Sequence, residues 1–190
     1  MHTAYVLLLD GYADWEPASA LAELRRTFGF EVKAIGLNGA IVTSMAGLRV
    51  TPHLTLAQFD PESAAILILP GGDAWTQGEV PEISRAVRGM SDRQRPVAAI
   101  CAATLALAHA GLLDDRLHTS NGSQFIGQFV PTYRGAQFYR PSPAVRDRGV
   151  ITANGLAPFA YAAEIFRELA PEREKDIATY EKLYARGVLD

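Results

Sequence analysis

The chain is poor in the residues that build disulfides, metal clusters and highly charged surfaces. Its 190 residues include one cysteine and four histidines. A single cysteine excludes an intramolecular disulfide and any metal site built from several cysteines. Eighteen basic against 21 acidic side chains leave a net charge of −3, and no basic run is present, which argues against a nucleic-acid partner. We expect neither a metal nor another cofactor.

Long hydrophobic runs are also missing. No stretch approaches the roughly 18–20 apolar residues that span a bilayer. The opening segment MHTAYVLLLDGYADWE has only a short apolar run with no basic residues before it, unlike a secretion signal. We therefore expect no membrane partner and a cytoplasmic location. The length and the absence of repeats or linkers predict a single domain over residues 1–190.

What the chain does contain is an alternation of apolar strands and amphipathic helices. Continuous apolar segments are typical of strands buried on both faces of a parallel sheet. The pattern therefore predicts an α/β protein with a mainly parallel sheet. Predicted strands cover 4–10, 30–37, 63–72, 96–101, 117–120 and 149–153, with two short edge strands within 40–56 around a turn at Ala46–Gly47. Predicted helices begin near Pro17 and Pro81 and cover 102–110, 158–169 and 172–186.

The polar and small residues that carry chemistry follow the predicted strands. In open α/β sheets, ligands bind beyond the carboxyl ends of the strands. The segment DGYADWEP follows the first strand, PGGDAW follows 63–72, Cys101 follows 96–101, and TSNG follows 117–120. Four such exits predict one site at this edge of the sheet.

Cys101 stands where a strand becomes a helix with no loop between them. Such a sharp turn, or nucleophile elbow, holds a nucleophile clear of the sheet and needs small neighbours, here Ala99 and Ala103. The start of the following helix favours a thiolate, so we expect the pKa of the thiol to be lowered. The segment by itself fits equally well with an inert, packed cysteine.

Two further features accompany this elbow. The backbone N–H groups of Gly71, Gly72 and Ala102 are candidates for an oxyanion site, although PGG also suits an ordinary turn. Glu16 precedes Pro17 at the start of a predicted helix. Its carboxylate either stabilises the helix terminus or holds the thiol and shuttles its proton.

These residues resemble a known family. The segments DWE, LILPGGDAW, AICAATLALAHAGLLDDRLHTSN and VITANG look like the ThiJ/PfpI superfamily, in the same order and over nearly the whole chain. This group includes the parkinsonism-linked deglycase, PfpI-type peptidases and isocyanide hydratases, and it is related to class I glutamine amidotransferases. The resemblance implies a flavodoxin-like three-layer α/β/α sandwich that forms a homodimer.

The resemblance also implies roles for individual residues. Cys101 matches the elbow cysteine, which is prone to oxidation to sulfinic acid. Glu16 matches a glutamate that hydrogen-bonds the thiol, and Gly72 and Ala102 match the oxyanion amides.

The sequence departs from the family pattern at the catalytic base. Many members carry a histidine directly after the cysteine or at the end of the TSN-like segment, where this chain has Ala102 and Asn121. His109 lies eight residues into the helix, roughly 12 Å along its axis at about 1.5 Å per residue. His118 is expected to face away from the position of Asn121 in a regular strand.

His2 and His53 are expected to be structural. No histidine follows His118 to form the late His-x-Glu pair of amidotransferases. A standard peptidase or glutaminase is therefore not expected.

Two functions remain open at this point. In the first, Cys101 adds to a small electrophile such as a dicarbonyl or an isonitrile and Glu16 returns the proton, as in a hydrolase, hydratase or glyoxalase. Ser120 and Asn121 then orient substrate or water. In the second, the protein is a non-catalytic oxidation sensor or stress-response protein that has kept the elbow and lost the base.

Overall fold

A seven-stranded sheet forms the centre of the molecule. The computed structural model describes residues 2–187. The described residues form the strands β1 (Thr3–Leu7), β2 (Glu31–Gly36), β3 (Val42–Thr43), β4 (Arg49–Val50), β5 (Leu54–Thr55), β6 (Ala64–Leu69), β7 (Val97–Ile100), β8 (Ala144–Asp147) and β9 (Val150–Ala153). All but β3 and β4 belong to the central sheet, in the order β5-β2-β1-β6-β7-β9-β8, and every neighbouring pair is parallel except β8 with β9. The helices are α1 (Trp15–Arg26), α2 (Pro81–Asp92), α3 (Thr104–His109), α4 (Phe125–Phe129), α5 (Pro158–Leu169) and α6 (Glu174–Arg186).

Helices cover both faces of this sheet because its central strands are apolar on both sides. In β6, Leu67 and Leu69 pack into one core cluster while Ile66 and Ile68 pack into the other. All four side chains are fully buried, as the two-residue period of a strand requires. Residues of α2, α3 and α4 complete the first cluster, and residues of α1, α5 and α6 complete the second. The result is the predicted three-layer α/β/α sandwich of flavodoxin-like type.

Most predicted elements are confirmed, but the region around 117–120 is not a strand. There, only His118 makes an isolated bridge, to Tyr139. The segment is held against residues 138–140, because Arg140 N–H donates to the carbonyl of His118 at 2.7 Å and His118 N–H donates to the carbonyl of Phe138 at 3.3 Å.

The expected edge strands in 40–56 also differ from the prediction. β3 and β4 form a separate two-stranded hairpin that turns at Gly47 (φ +83°), and only β5 joins the main sheet. The hairpin packs on the loop after β1, where Gly11 N–H donates to the Thr43 carbonyl at 2.7 Å. The antiparallel strand β8 was not predicted, since its residues AVRD show no clear apolar pattern.

The strand order positions the candidate site. β1, β6, β7 and β9 are neighbours in the sheet and run in the same direction. The segments that follow these four strands therefore all begin at the same edge of the sheet. The exits after β1, β6 and β7 meet at this edge as predicted, whereas the fourth exit is that of β9, because 117–120 is not a strand.

Candidate active site

Cys101 occupies a strained backbone position directly after β7. Its φ is +60°, a left-handed conformation that is uncommon for residues other than glycine. Residues held in such conformations cluster at functional sites. The Thr104 hydroxyl donates to the carbonyl of Cys101 at 2.7 Å and lies 2.7 Å from the Ser120 hydroxyl. Because the hydrogen of Thr104 is used on that carbonyl, Ser120 donates to Thr104. Ser120, expected to orient substrate, thus supports the elbow.

Glu16 lies behind the thiol and not at the protein surface. It belongs to the first turn of α1, yet its side chain is only 1% exposed. Its Oε2 accepts a hydrogen bond from Gly71 N–H at 2.6 Å. Its carboxyl lies beside the thiol, since a Cβ added to Gly155 would be 3.2 Å from Oε1 of Glu16 and 2.9 Å from Sγ of Cys101. Of the two roles open to Glu16, contact with the thiol is the one that the geometry favours.

Two glycines leave the space that this pair needs. A Cβ added to Gly71 would lie 2.6 Å from Oε2 of Glu16 and 2.7 Å from Cβ of Cys101. A Cβ added to Gly155 would lie 2.9 Å from Sγ of Cys101. Real Cβ atoms do not approach other atoms so closely, so glycine is required at both positions by packing alone. A Cβ on Gly72 would meet the Gly11 carbonyl at 2.7 Å, which likewise requires glycine there.

Asn121 contacts the sulfur and has a defined orientation. Its Nδ2 donates to Sγ of Cys101 at 3.2 Å, while its Oδ1 accepts from Gly155 N–H at 3.0 Å. Since the backbone N–H can only donate, the amide oxygen must face Gly155 and the NH₂ group must face the sulfur. Asn121 therefore donates a hydrogen bond to the sulfur and does not act as a base.

Burial controls the titration of both acids in the pair. It raises the pKa of the Glu16 carboxyl, against the opposing hydrogen bonds from Gly71 and Cys101. It also raises the pKa of the Cys101 thiol, to which the charge of Glu16 contributes, while hydrogen bonds from Asn121 and from Ala102 N–H oppose the rise. The expected lowering of the thiol pKa is thus wrong. The thiol is half-buried beside a carboxyl group, and the helix that was to favour the thiolate begins with a single 3₁₀ turn followed by only Thr104–His109.

The sulfur opens into a cleft of about 570 Å³. Its walls come from the start of α1, the elbow, the segment after His118, and the loop after β9. The cleft is lined by Trp15, Glu16, Cys101, Ser120, Asn121, Gly122, Tyr139, Asn154, Gly155 and Leu156. A larger cavity of about 670 Å³ lies between α1 and α6. We place the candidate site in the smaller cleft because it contains Cys101 and Glu16.

The sequence prediction contains four of these ten lining residues and misses the other six. Asn154, Gly155 and Leu156 follow β9, so the same strand-exit argument, applied to 149–153, would have found them. Trp15 was visible next to Glu16. Tyr139 had no local signal, because it reaches the site only through its bridge to His118.

The histidines lie outside the cleft, as the sequence predicts. His118 is fully buried, with its ring bonded to the Arg116 carbonyl and the Tyr133 hydroxyl. His109 lines a small cavity beneath Trp75.

The remaining two histidines lie in other parts of the structure. His53 accepts from Ala34 N–H at 3.0 Å, and His2 packs against Phe30. Within residues 2–187, no group of three or more His, Cys, Asp or Glu side chains is placed to hold a metal ion. No helix in this range is long and apolar enough to cross a membrane.

Comparison with known proteins extends these observations. A Bacillus subtilis (strain 168) protein named uncharacterized protease YoaZ is 34% identical over 172 residues, which cover 87% of this chain and 82% of that protein. Deglycase TK1284 of Thermococcus kodakarensis is 31% identical over 116 residues, 60% of this chain and 69% of that protein. The crystal structure of the DJ-1 superfamily protein Atu0886 from Agrobacterium tumefaciens matches with a TM-score of 0.87 and 38% identity, over 97% of this chain and 100% of that chain.

The family comparison agrees with the resemblance noted in the sequence. The model of the DJ-1/PfpI family matches residues 2–168. This range includes β1 to β9, the elbow and every residue that lines the cleft. The chain belongs to the DJ-1/PfpI family.

Proposed function

We propose that this protein is an enzyme in which Cys101 adds to a small electrophile, such as a dicarbonyl or an isonitrile, and Glu16 moves the proton. The observation that carries this proposal is the contact between the two acids at the floor of the cleft. The carboxyl of Glu16 lies beside the thiol and is itself held by Gly71 N–H. A buried acid whose pKa is raised towards neutrality suits proton transfer at neutral pH.

The first step is addition of the thiol across the electrophile. For a dicarbonyl, sulfur attacks the aldehyde carbon, the carbonyl electron pair moves to oxygen, and the proton of the thiol reaches that oxygen through Glu16. Asn121 donates to the sulfur and so stabilises it while it carries negative charge. The N–H groups of Gly72 and Ala102 are the proposed donors to the developing oxyanion.

Water completes the reaction and releases the thiol. For an isonitrile, sulfur and the thiol proton both add to the terminal carbon and give a thioformimidate. Water then adds to that carbon, the nitrogen takes up a proton, and the thiol leaves to give a formamide. For a dicarbonyl, Glu16 moves a proton from the former aldehyde carbon to its neighbour, and water hydrolyses the resulting thioester. Both sequences are net hydrations that consume no other reagent.

Peptide hydrolysis is a poorer fit, although YoaZ is named a protease. Cysteine hydrolases normally pair the sulfur with a histidine. Among the described residues that line the cleft there is no imidazole, and Asn121 presents its NH₂ group to the sulfur. The name of deglycase TK1284 agrees better with chemistry on small carbonyl compounds.

A second candidate is oxidation sensing without turnover. It is favoured by the hydrogen bond that Asn121 donates to the sulfur, because the same donor would stabilise an oxidised, anionic sulfur. We further propose, with either function, a cytoplasmic homodimer of single-domain chains, since a lone half-buried thiol is best preserved in a reducing compartment.

Turnover measurements separate the two candidates. The protein is incubated with methylglyoxal and with a panel of isonitriles, alongside Cys101→Ser and Glu16→Gln. Turnover that disappears in Cys101→Ser and falls strongly in Glu16→Gln supports the enzyme. Absence of turnover, combined with selective oxidation of Cys101 by mild peroxide in mass spectra, would instead establish the sensor. Resistance of native Cys101 to both peroxide and alkylation would contradict both candidates.

A further inference from the structure

The cleft carries almost no charge. Among its ten lining residues, Glu16 is the only one with an ionisable carboxylate, and none is lysine, arginine or histidine. Arg140 follows Tyr139 in the chain, but its guanidinium donates to the carbonyls of Gln137 and Tyr139. A substrate carboxylate or phosphate would therefore enter next to Glu16 without a cationic partner, and an unpaired charge is costly to desolvate.

The mouth of the cleft is apolar on two sides. Trp15 is 53% exposed at the start of α1, and Leu156 is 96% exposed in the loop after β9. Leu156 is held in that loop by its N–H, which donates to Oδ1 of Asn154 at 3.0 Å. Large apolar side chains that stand in solvent around a concave site are typical of ligand contacts.

We propose that the cleft selects uncharged electrophiles bearing an apolar or aromatic substituent, and that Trp15 and Leu156 contact this substituent. The proposal rests on the proposed role of Cys101 as the nucleophile and adds the class of substrate. At the floor of the cleft, Glu16 and the lack of a cationic lining residue exclude anionic analogues, and at its mouth the two apolar side chains provide contact area. Neither effect requires a conformational change.

Charge selection is tested by alkylation of Cys101, the only cysteine in the chain. Iodoacetamide and iodoacetate form the same sulfur–carbon bond with loss of iodide, and they differ in the charge of the reagent. We expect the ratio of the two rates, neutral over anionic, to exceed that of free N-acetylcysteine by at least about tenfold, which corresponds to roughly 1.4 kcal/mol. Leu156→Arg places a cation at the mouth and should lower the ratio. A wild-type ratio equal to that of the free thiol would overturn the proposal.

Selection of the substituent is tested with N-phenylmaleimide and N-ethylmaleimide. In both reagents sulfur adds to the double bond, and the neighbouring carbon takes the proton. We expect the wild type to prefer the phenyl reagent. Trp15→Ala and Leu156→Ala should each reduce that preference about three- to tenfold, because each removes apolar area that the phenyl group would bury. Phe159→Ala is the matched control, because Phe159 is 40% exposed but lines the other cavity.

The outcomes are distinguishable from those for the proposed function. Selective alkylation without turnover of any substrate would refute the enzyme and leave the cleft selectivity established. Turnover with no preference for neutral or aromatic reagents would refute the selectivity alone. If both alanine variants kept the phenyl preference and instead dissociated a dimer in sedimentation velocity, Trp15 and Leu156 would be contacts between two copies and the proposal would be wrong.

Discussion

Two polar sites lie beside the same sheet, and only one is open to a ligand. At Cys101 the sulfur is half-buried, faces a cleft, and sits on a backbone with φ +60°. At His118 the imidazole is fully buried and both ring nitrogens are bonded. Both residues are typical nucleophiles or bases by type. Access and unused bonding capacity, and not residue type, distinguish the candidate active site from the structural one.

The tautomer of His118 and the direction of both its hydrogen bonds can be assigned. Burial lowers the pKa of His118, which keeps the ring neutral. The Arg116 carbonyl can only accept a hydrogen bond, so Nδ1 of His118 carries the hydrogen. Nε2 of the neutral ring then accepts from the Tyr133 hydroxyl at 2.6 Å. Burial raises the pKa of Tyr133 to about 12, so this hydroxyl remains a donor. No lone pair or hydrogen of the ring is left for chemistry.

The largest expected difference between the two sites is in turnover. Glu16→Gln keeps an oxygen for Gly71 N–H but removes the proton carrier, and we expect kcat/KM to fall about 10²- to 10⁴-fold. His118→Gln should leave kcat/KM of the folded protein unchanged. The measurement is steady-state kinetics at neutral pH, normalised to the folded fraction by circular dichroism. If kcat/KM of His118→Gln were as low as that of Glu16→Gln, the functional distinction between the two sites would be wrong.

In stability, we expect the larger loss at the His118 site. His118→Leu leaves the part-buried Tyr133 hydroxyl and Arg116 carbonyl without their partner, and we expect a loss of roughly 1–3 kcal/mol in the free energy of unfolding. Tyr133→Phe removes one hydrogen bond and should cost about 1 kcal/mol. Urea denaturation followed by fluorescence gives both values. The alkylation rate of Cys101 in the native state should not change in either variant.

Asn121 offers a smaller and more specific test. Asn121→Asp keeps an oxygen for Gly155 N–H but turns a carboxylate oxygen towards the sulfur, replacing a donor with a negative charge. We expect alkylation of Cys101 at neutral pH to slow by roughly tenfold, because a nearby negative charge disfavours the thiolate. Rate against pH should shift to higher pH. An unchanged profile would show that Asn121 does not act on the sulfur.

The smallest expected effect is the pH dependence of stability. The pKa of Glu16 is raised in the folded protein, so the folded state holds its proton more tightly than the unfolded chain does. This contribution is fully present below the unfolded pKa and is lost as the pH rises through the folded one. We expect Glu16→Gln to gain stability relative to the wild type as the pH rises above 4.5, the ordinary pKa of a glutamate. Melting temperatures across this range measure the gain, and a constant difference would contradict it.

Local sequence determined the elements and the position of Cys101, the candidate nucleophile. The apolar pattern of β6 requires burial on both faces, and the strand-to-helix junction at Cys101 requires a sharp turn. The strand-exit rule placed Glu16, Gly71 and Cys101 at one edge of the sheet. These features depend on neighbours in the chain, so they can be read from it.

Only the tertiary structure decided how these groups behave. Distant segments meet at the sulfur, where Asn121 and Gly155 fix the direction of an amide that the sequence leaves free. The raised pKa of the thiol comes from burial beside a carboxyl group 85 positions away in the chain, whereas helix position alone predicted a lowered one. Solvation and charge at Cys101 depend on atoms brought together by folding, and a linear pattern does not contain that information.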